Sequence, residues 1–522
     1  MRKLTTLLFI GLTVLGTSCK KYLNINTNPN SATSATPELI LPQALTTTAN
    51  VLNSFNTYGM QVGGYGANAG GYGGFGTAIS YNFSSNDYAG LWSATYDNLE
   101  DYQAILDYTA PQLPKYNYFN AAARIMKVYD FELLVDAYNN IPYSTALTGS
   151  ISLTPKYDDA AAIYASLATQ LDSAILTINS AVTGVTITMG TNDVLFGGSS
   201  AKWKQLANTL KLRLIVHGAA KATFANKTFD AAGFLSTDAL INPGYSRDNG
   251  KQNPAWNNWA FSYTGGDATK SWIPSKFTLG FYDGHKLTDS GRGRAVYYQY
   301  ADSPYTGANQ LGYENVSVPK CPSGSYWYSG TNRVGTSAGG SVGTLKGPNA
   351  GYPVMTAAES YFLQAEAVVR GLTTSTSTDA ALFKSGIVAS YNYLYQLPGG
   401  ALSGSSATDE TAYETKNSGS YLVNYSLAAS TANKIEAIIT QKYIALNFVN
   451  SQEGWNEYRR THYPTVVAGG NAYQTFASTV SESTRADKLP TRIMYPTSEG
   501  SYNPENVPSG ITPFTSTIFW AL

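Results

Sequence analysis

Three stretches of this chain place apolar residues three and four apart, and that period commits each to a helix with one buried face. Across 117–139 the stripe is Ala122, Ile125, Met126, Tyr129 and Leu133. Across 200–217 it is Trp203, Leu206, Ala207, Leu210, Leu214 and His217, and across 432–449 it is Ile435, Ile438, Ile439, Tyr443 and Leu446. Residues 158–178 and 356–370 also read as helices, with Asp158–Asp159 and Thr356 as N-terminal caps and Gly371 as a stop. A helix with one apolar stripe must bury it on a neighbour, so the expected fold is mainly α, a scaffold of packed helices. Between the periodic stretches lie two long irregular ones. Residues 59–90 are rich in Gly and Tyr, and 222–353 carry Gly, Pro, Asn and aromatic residues with no sustained period. Loops this long are functional or disordered as a rule, and their aromatic content argues against disorder. The expectation is a helical scaffold carrying a large irregular insert over about 222–353, followed by C-terminal loops.

The N-terminus is of another kind. Arg2 and Lys3 precede an apolar run, Leu4 to Leu15, of signal-peptide length. Gly16, Thr17 and Ser18 are small, as a cleavage site requires, and Cys19 follows at once. That is the pattern of a bacterial lipoprotein signal: residues 1–18 are removed and the Cys19 thiol receives the lipid. Residues 19–36, polar and rich in Asn, Ser and Thr, read as a tether, and 37–522 as the folded domain. No run of 18 apolar residues follows the leader, so the lipid is the expected membrane attachment. With Cys19 lipidated, Cys321 has no intrachain partner for a disulfide.

Composition narrows the partners. Lys plus Arg equals Asp plus Glu, at 34 each, so no basic surplus argues for nucleic acid or anionic lipid. A near-neutral balance also argues against highly anionic polysaccharides unless a local patch overrides it. Charged residues are 13% of the chain, against roughly 25% in ordinary soluble domains, so the surface is polar by other means. Forty Tyr and eight Trp supply rigid amphipathic area, which suits packing between helices and also recognition surfaces.

Catalytic motifs fail on context. Gly335-Thr-Ser337-Ala-Gly339 fits G-x-S-x-G, but a nucleophile elbow needs a strand before it and a helix after it, and loop-type sequence flanks this one. Gly71-Tyr-Gly73-Gly-Phe-Gly76 fits G-x-G-x-x-G without a surrounding βαβ unit, so a nucleotide site is not expected. His217, His285 and His462 show no metal-ligand spacing, and His217 falls on an apolar helix face as a core residue would. Acidic pairs such as Glu100–Asp101 read as solvated faces. No cofactor, metal or catalytic group is expected.

Aromatic residues on the irregular stretches remain. Tyr65 and Tyr72 lie in the first Gly-rich loop, Trp256, Trp259 and Trp272 form a second group, and Trp327 and Tyr328 a third. Rings on loops can stack on sugar faces or hold peptide side chains, while Asn, Asp and Arg bond the polar edge of a ligand. These seven residues are the candidate ligand set. The competing reading of each is a plug that pins its loop to the scaffold.

Several blocks together resemble the SusD/RagB-type outer-membrane lipoproteins of the Bacteroidetes. They begin with Cys19-Lys-Lys-Tyr-Leu-Asn-Ile-Asn and include Asp136-Ala-Tyr-Asn-Asn-Ile-Pro-Tyr-Ser-Thr-Ala-Leu147. The most specific is Asp193-Val-Leu-Phe-Gly-Gly198 followed by the run from Trp203 to Arg213. Tyr352 to Glu366 resembles the family's glutamate-bearing helix, and Ile439–Leu446 with Glu453–Arg460 its late helix pair. The resemblance implies helix pairs like tetratricopeptide repeats, although no 34-residue repeat is visible here. It implies a non-enzymatic role: capture of an oligosaccharide or peptide and delivery to a SusC-type TonB-dependent barrel. It also implies that Trp203, Arg213, Glu359 and Glu366 are structural. A surface glycan hydrolase or esterase, and an adhesive surface lipoprotein, are the rival readings of the leader and helices.

Overall fold

The computed structural model describes residues 35–522 apart from 220, 270, 298–299, 301–307, 315–341 and 374. Residues 1–34, with Cys19 and the expected leader, and Cys321, Trp327, Tyr328 and Ser337 lie outside the described residues. The main helices are α1 (Pro37–Val62), α2 (Ala89–Thr109), α3 (Asn117–Tyr138), α4 (Ala160–Asn179) and α5 (Ser200–Gly218). After a long irregular stretch come α6 (Ala357–Val369), α7 (Asp379–Tyr395), α8 (Ser406–Lys416), α9 (Thr431–Ala445) and α10 (Ser451–Thr461). From α1 through to α8 successive helices pack on one another; α6 also packs on α9, and α10 returns to pack on α1. The fold is mainly α, a scaffold of helix pairs, as the periodicity requires.

Local signals act as anticipated at several ends. The Asp159 carboxylate accepts from the Ala162 N–H at 3.0 Å and caps α4, while the Thr356 hydroxyl accepts from the Glu359 N–H at 3.2 Å and caps α6. Gly371 takes φ +66° just past α6, a left-handed position that favours glycine. Helix α4 is long and apolar enough to cross a membrane by length and composition alone. Yet it packs between α3 and α5, and its outer side carries hydroxyls, such as Thr169 and Ser173, that back-bond to the helix.

The strands are short and all antiparallel. β1 (Gly66–Asn68) pairs with β5 (Trp272–Pro274), β2 (Ile141–Pro142) with β3 (Tyr157–Asp158), and β4 (Ala239–Ile241) with β6 (Tyr352–Met355). The β4–β6 ladder brings the two ends of the irregular stretch together beside the scaffold. Buried apolar residues from the helices and from this stretch form one continuous cluster, from Leu41 through Trp203, Trp256 and Phe277 to Trp520.

Candidate functional site

The first Gly-rich loop is anchored at both ends and stands free between them. At its start Gly64 has φ +82°, and a Cβ there would press into the Phe476 ring. The chain then enters β1, whose register sets Asn68 opposite Trp272, and the Ala69 N–H donates to the Ser271 carbonyl at 2.7 Å. Beyond Ala69 the backbone turns through Gly71, Gly74 and Gly76 at positive φ with open space around each. Tyr72 projects from this loop, 43% exposed. Phe75 folds back and meets the half-buried Trp272 ring edge-on, with centroids 5.3 Å apart.

A polar strut braces the same place. The Asn309 amide donates to the Asn68 carbonyl at 2.8 Å and to the Tyr313 carbonyl at 2.7 Å, and the Gly312 N–H donates to Asn68 Oδ1 at 2.7 Å. Tyr313, 43% exposed, therefore stands on a segment tied to β1. The result is an aromatic rim centred on the Phe75–Trp272 contact, with Tyr72 exposed on the same loop as Phe75 and Tyr313 on a segment tied to β1, drawn from three distant parts of the chain.

The structure separates the sequence-derived candidates. Tyr72 lies exposed on the loop whose Phe75 meets Trp272. Tyr65 is fully buried: its ring stacks on Tyr443 at 4.2 Å, its hydroxyl donates to the Tyr443 carbonyl at 3.0 Å, and burial pushes that hydroxyl well above its ordinary pKa. Trp256 and Trp259, 1% and 4% exposed, pack against Phe261 and Phe448. In this arrangement these three rings fasten the irregular stretch to the scaffold and offer no face to a ligand. Trp327 and Tyr328 lie outside the described residues. Phe75 shares the aromatic first Gly-rich loop but is not among the seven candidates, and Tyr313 is not singled out by the sequence; the only signal for Tyr313 is its pairing context, which appears once Asn309 is placed.

A second constellation has the look of chemistry. His217, Glu453 and Glu457 place ligating atoms within reach of one ion, as do Glu132, Asp136 and His217. Each carboxylate is already satisfied. Arg213 grips Glu132 with two bonds, at 2.9 and 2.6 Å, and donates to Glu359 at 3.0 Å. Lys442 donates to Glu453 at 2.5 Å and to Glu457 at 2.7 Å. Arg460 clamps Glu366 with two 2.7 Å bonds and also meets Glu457. Asp136 accepts from the Trp520 indole at 2.9 Å, from the Asn456 amide at 3.0 Å and from the Tyr164 hydroxyl. Burial alone would lower the His217 imidazolium, but Glu453 and Glu457 override it and raise it to about 9. Burial would raise Glu453, but Lys442 and His217 hold it down to about 2. The cations thus do what a metal would do, and all of these groups are buried, so the cluster is a cross-brace between α3, α5, α6, α9 and α10.

The other histidines are peripheral. His285 is half-exposed, stacks on Tyr473 at 3.6 Å and contacts Asp283 at 2.8 Å. His462 ends α10 at φ +60°.

Comparison with known proteins agrees with this architecture. Residues 29–245 match a family described as starch-binding and associating with the outer membrane, and residues 345–515 match one described as SusD and RagB outer membrane lipoprotein. A SusD homologue from Bacteroides uniformis ATCC 8492 is 24% identical with a TM-score of 0.67, covering 92% of this chain and 99% of its own. A SusD homologue from Bacteroides fragilis NCTC 9343 is 18% identical with a TM-score of 0.66, covering 94% of this chain and 100% of its own. A chitin-binding SusD homologue from Flavobacterium johnsoniae is 21% identical with a TM-score of 0.66, covering 92% and 99%. Among curated proteins no match is found. The two matched stretches span most of the chain and share one helical scaffold, and the chain belongs to the SusD/RagB family of outer-membrane proteins.

Proposed function

We propose that the protein captures an oligosaccharide at the outer membrane and delivers it to a TonB-dependent β-barrel of the SusC type, with no chemistry of its own. The observation that carries the reading is the aromatic rim of Tyr72, Phe75, Trp272 and Tyr313, set on a Gly-rich loop and braced by Asn68 and Asn309. Rings of this kind offer apolar faces to sugar rings, while backbone and amide groups nearby bond hydroxyls. Family membership supports a nutrient-binding role, and the Flavobacterium johnsoniae relative is described as chitin-binding. The charged cluster around His217 supports a non-enzymatic reading, because its carboxylates are committed to buried cations. Cys19 is proposed as the lipidated residue that holds the chain at the membrane, with residues 19–36 as the tether.

Calorimetric titration of the purified protein with chitooligosaccharides and maltooligosaccharides tests the site. Binding of one series that weakens by about 1–3 kcal/mol in Trp272→Ala, by analogy with base stacking on aromatic rings, is the expected result. Binding left unchanged by Trp272→Ala and Tyr72→Ala together would remove the rim from the site.

A further inference from the structure

A second cleft opens in the helical scaffold, on the stripe Arg124, Lys127, Val128 and Phe131 of α3, with a volume of about 500 Å³. That size suits one or two sugar rings. The stripe follows helical spacing, so the four side chains share one face. Helix α2 contributes Gln103, helix α4 contributes Ser166 and Gln170, and the turn after β2 closes one side with Tyr143. This turn is pinned: the Tyr143 and Ser144 N–H groups donate to one Asp158 oxygen at 3.0 and 2.8 Å. The Tyr143 hydroxyl pairs with Ser166 Oγ at 2.8 Å, and its ring meets Phe131 edge-on at 4.8 Å.

The two cations in this cleft lack an anion. Arg124 donates to the Gln170 amide oxygen and Lys127 to the Gln103 amide oxygen, and among the described residues neither forms a salt bridge. Arg124 Nε is buried with no hydrogen-bond partner. Two acids lie near: the exposed Asp107 lines the cleft and accepts from Gln103 at 2.6 Å, and Asp107 and the exposed Glu100 of α2 partly favour the Lys127 charge without forming a salt bridge with it. A half-buried Arg and Lys one helical turn apart, hydrogen-bonded to neutral amides and in salt-bridge contact with no acid among the described residues, are poised for a negative group that supplies the missing acceptors.

We propose that this cleft binds a carboxylated sugar, the carboxylate lying between Arg124 and Lys127, the sugar ring against Phe131 and Tyr143, and its hydroxyls on Gln103, Gln170 and Ser166. The electrostatics agree: burial, and then the neighbouring Arg124, push the Lys127 ammonium down to about 8, and burial lowers Arg124 as well, so a bound anion relieves both. The site is separate from the aromatic rim and does not depend on it. It is also the local patch by which a chain of zero formal charge can hold an acidic saccharide.

The test is calorimetric titration of the full-length protein in detergent with galacturonate, glucuronate, galactose and acetate. At least one uronate is expected to bind at least tenfold more tightly than galactose or acetate. Arg124→Gln and Lys127→Gln are each expected to weaken it at least tenfold, and Lys127→Arg to retain it within threefold. Melting temperatures report whether each variant folds, and the comparison of uronate with galactose needs no variant. The proposal is overturned if neither uronate binds, if uronate and galactose bind alike, if acetate binds as tightly as the uronates, or if folded Arg124→Gln and Lys127→Gln keep full affinity.

Discussion

At the scale of single residues, the deepest commitments are charges. Lys442 of α9 bridges Glu453 and Glu457, and both carboxylates are buried with it. Removing one member of such a set leaves an uncompensated charge, so Lys442→Met should cost about 3–5 kcal/mol of stability, read as a shift in denaturant midpoint. Two other buried groups set a pH dependence. His217 is raised to about 9, so its contribution is complete below its unfolded value near 6.5 and is lost as pH rises through 9. Asp130, whose Oδ2 accepts from Asn98 at 2.8 Å, is pushed up to about 8 by burial. Its folded state holds a proton that the unfolded state releases near pH 4, so this residue also makes stability fall as pH rises from 4 to 8. Thermal melts across pH 5 to 10 should therefore decline toward high pH, and Asp130→Asn should flatten the fall between pH 5 and 8. A decline of the same slope in Asp130→Asn would show that Asp130 is ionised in the folded protein.

At the scale of elements, the legible helices were those with one apolar face. α3, α4, α5, α6 and α9 each carry an apolar stripe that is buried, although only α4 exposes much of its other side, and period alone located them to within a few residues. α10 gave no such signal because its face is inverted: Ser451 to Arg460 are polar and charged in the main, yet all are buried, satisfied by ion pairs that no local pattern records. α1 was hidden by Pro42 and by a run of Thr residues, and it is buried on most sides. The contact between these two helices depends on a small residue. A Cβ on Gly59 of α1 would overlap the backbone of Ser451 and Gln452 at the start of α10. Gly59→Ala should cost about 1–3 kcal/mol, since backbone cannot rotate aside as a side-chain tip can, and a thermal melt unchanged by this substitution would contradict the close approach. The site was legible only in part for a related reason. Tyr72 and Trp272 are joined by a ladder three residues long, too short to announce itself, and the aromatic character shared by Trp256 and Trp272 does not say which ring plugs and which presents.

At the scale of the whole molecule, a helical scaffold braced by buried charge carries aromatic rings on its two irregular stretches and a basic cleft among its helices. The proposed anchor is separate from both, so Cys19→Ala should shift the protein from membrane to soluble fractions with its fold intact. Retention of that variant in salt-washed membranes would point to another attachment. The central claim is that captured ligand passes to a barrel. The most direct measurement is native co-purification of the tagged protein from detergent-solubilised outer membrane, followed by mass spectrometry of the proteins and saccharides that come with it. The account predicts a TonB-dependent barrel in near-stoichiometric amount; no barrel, under conditions in which other outer-membrane complexes survive, would contradict it.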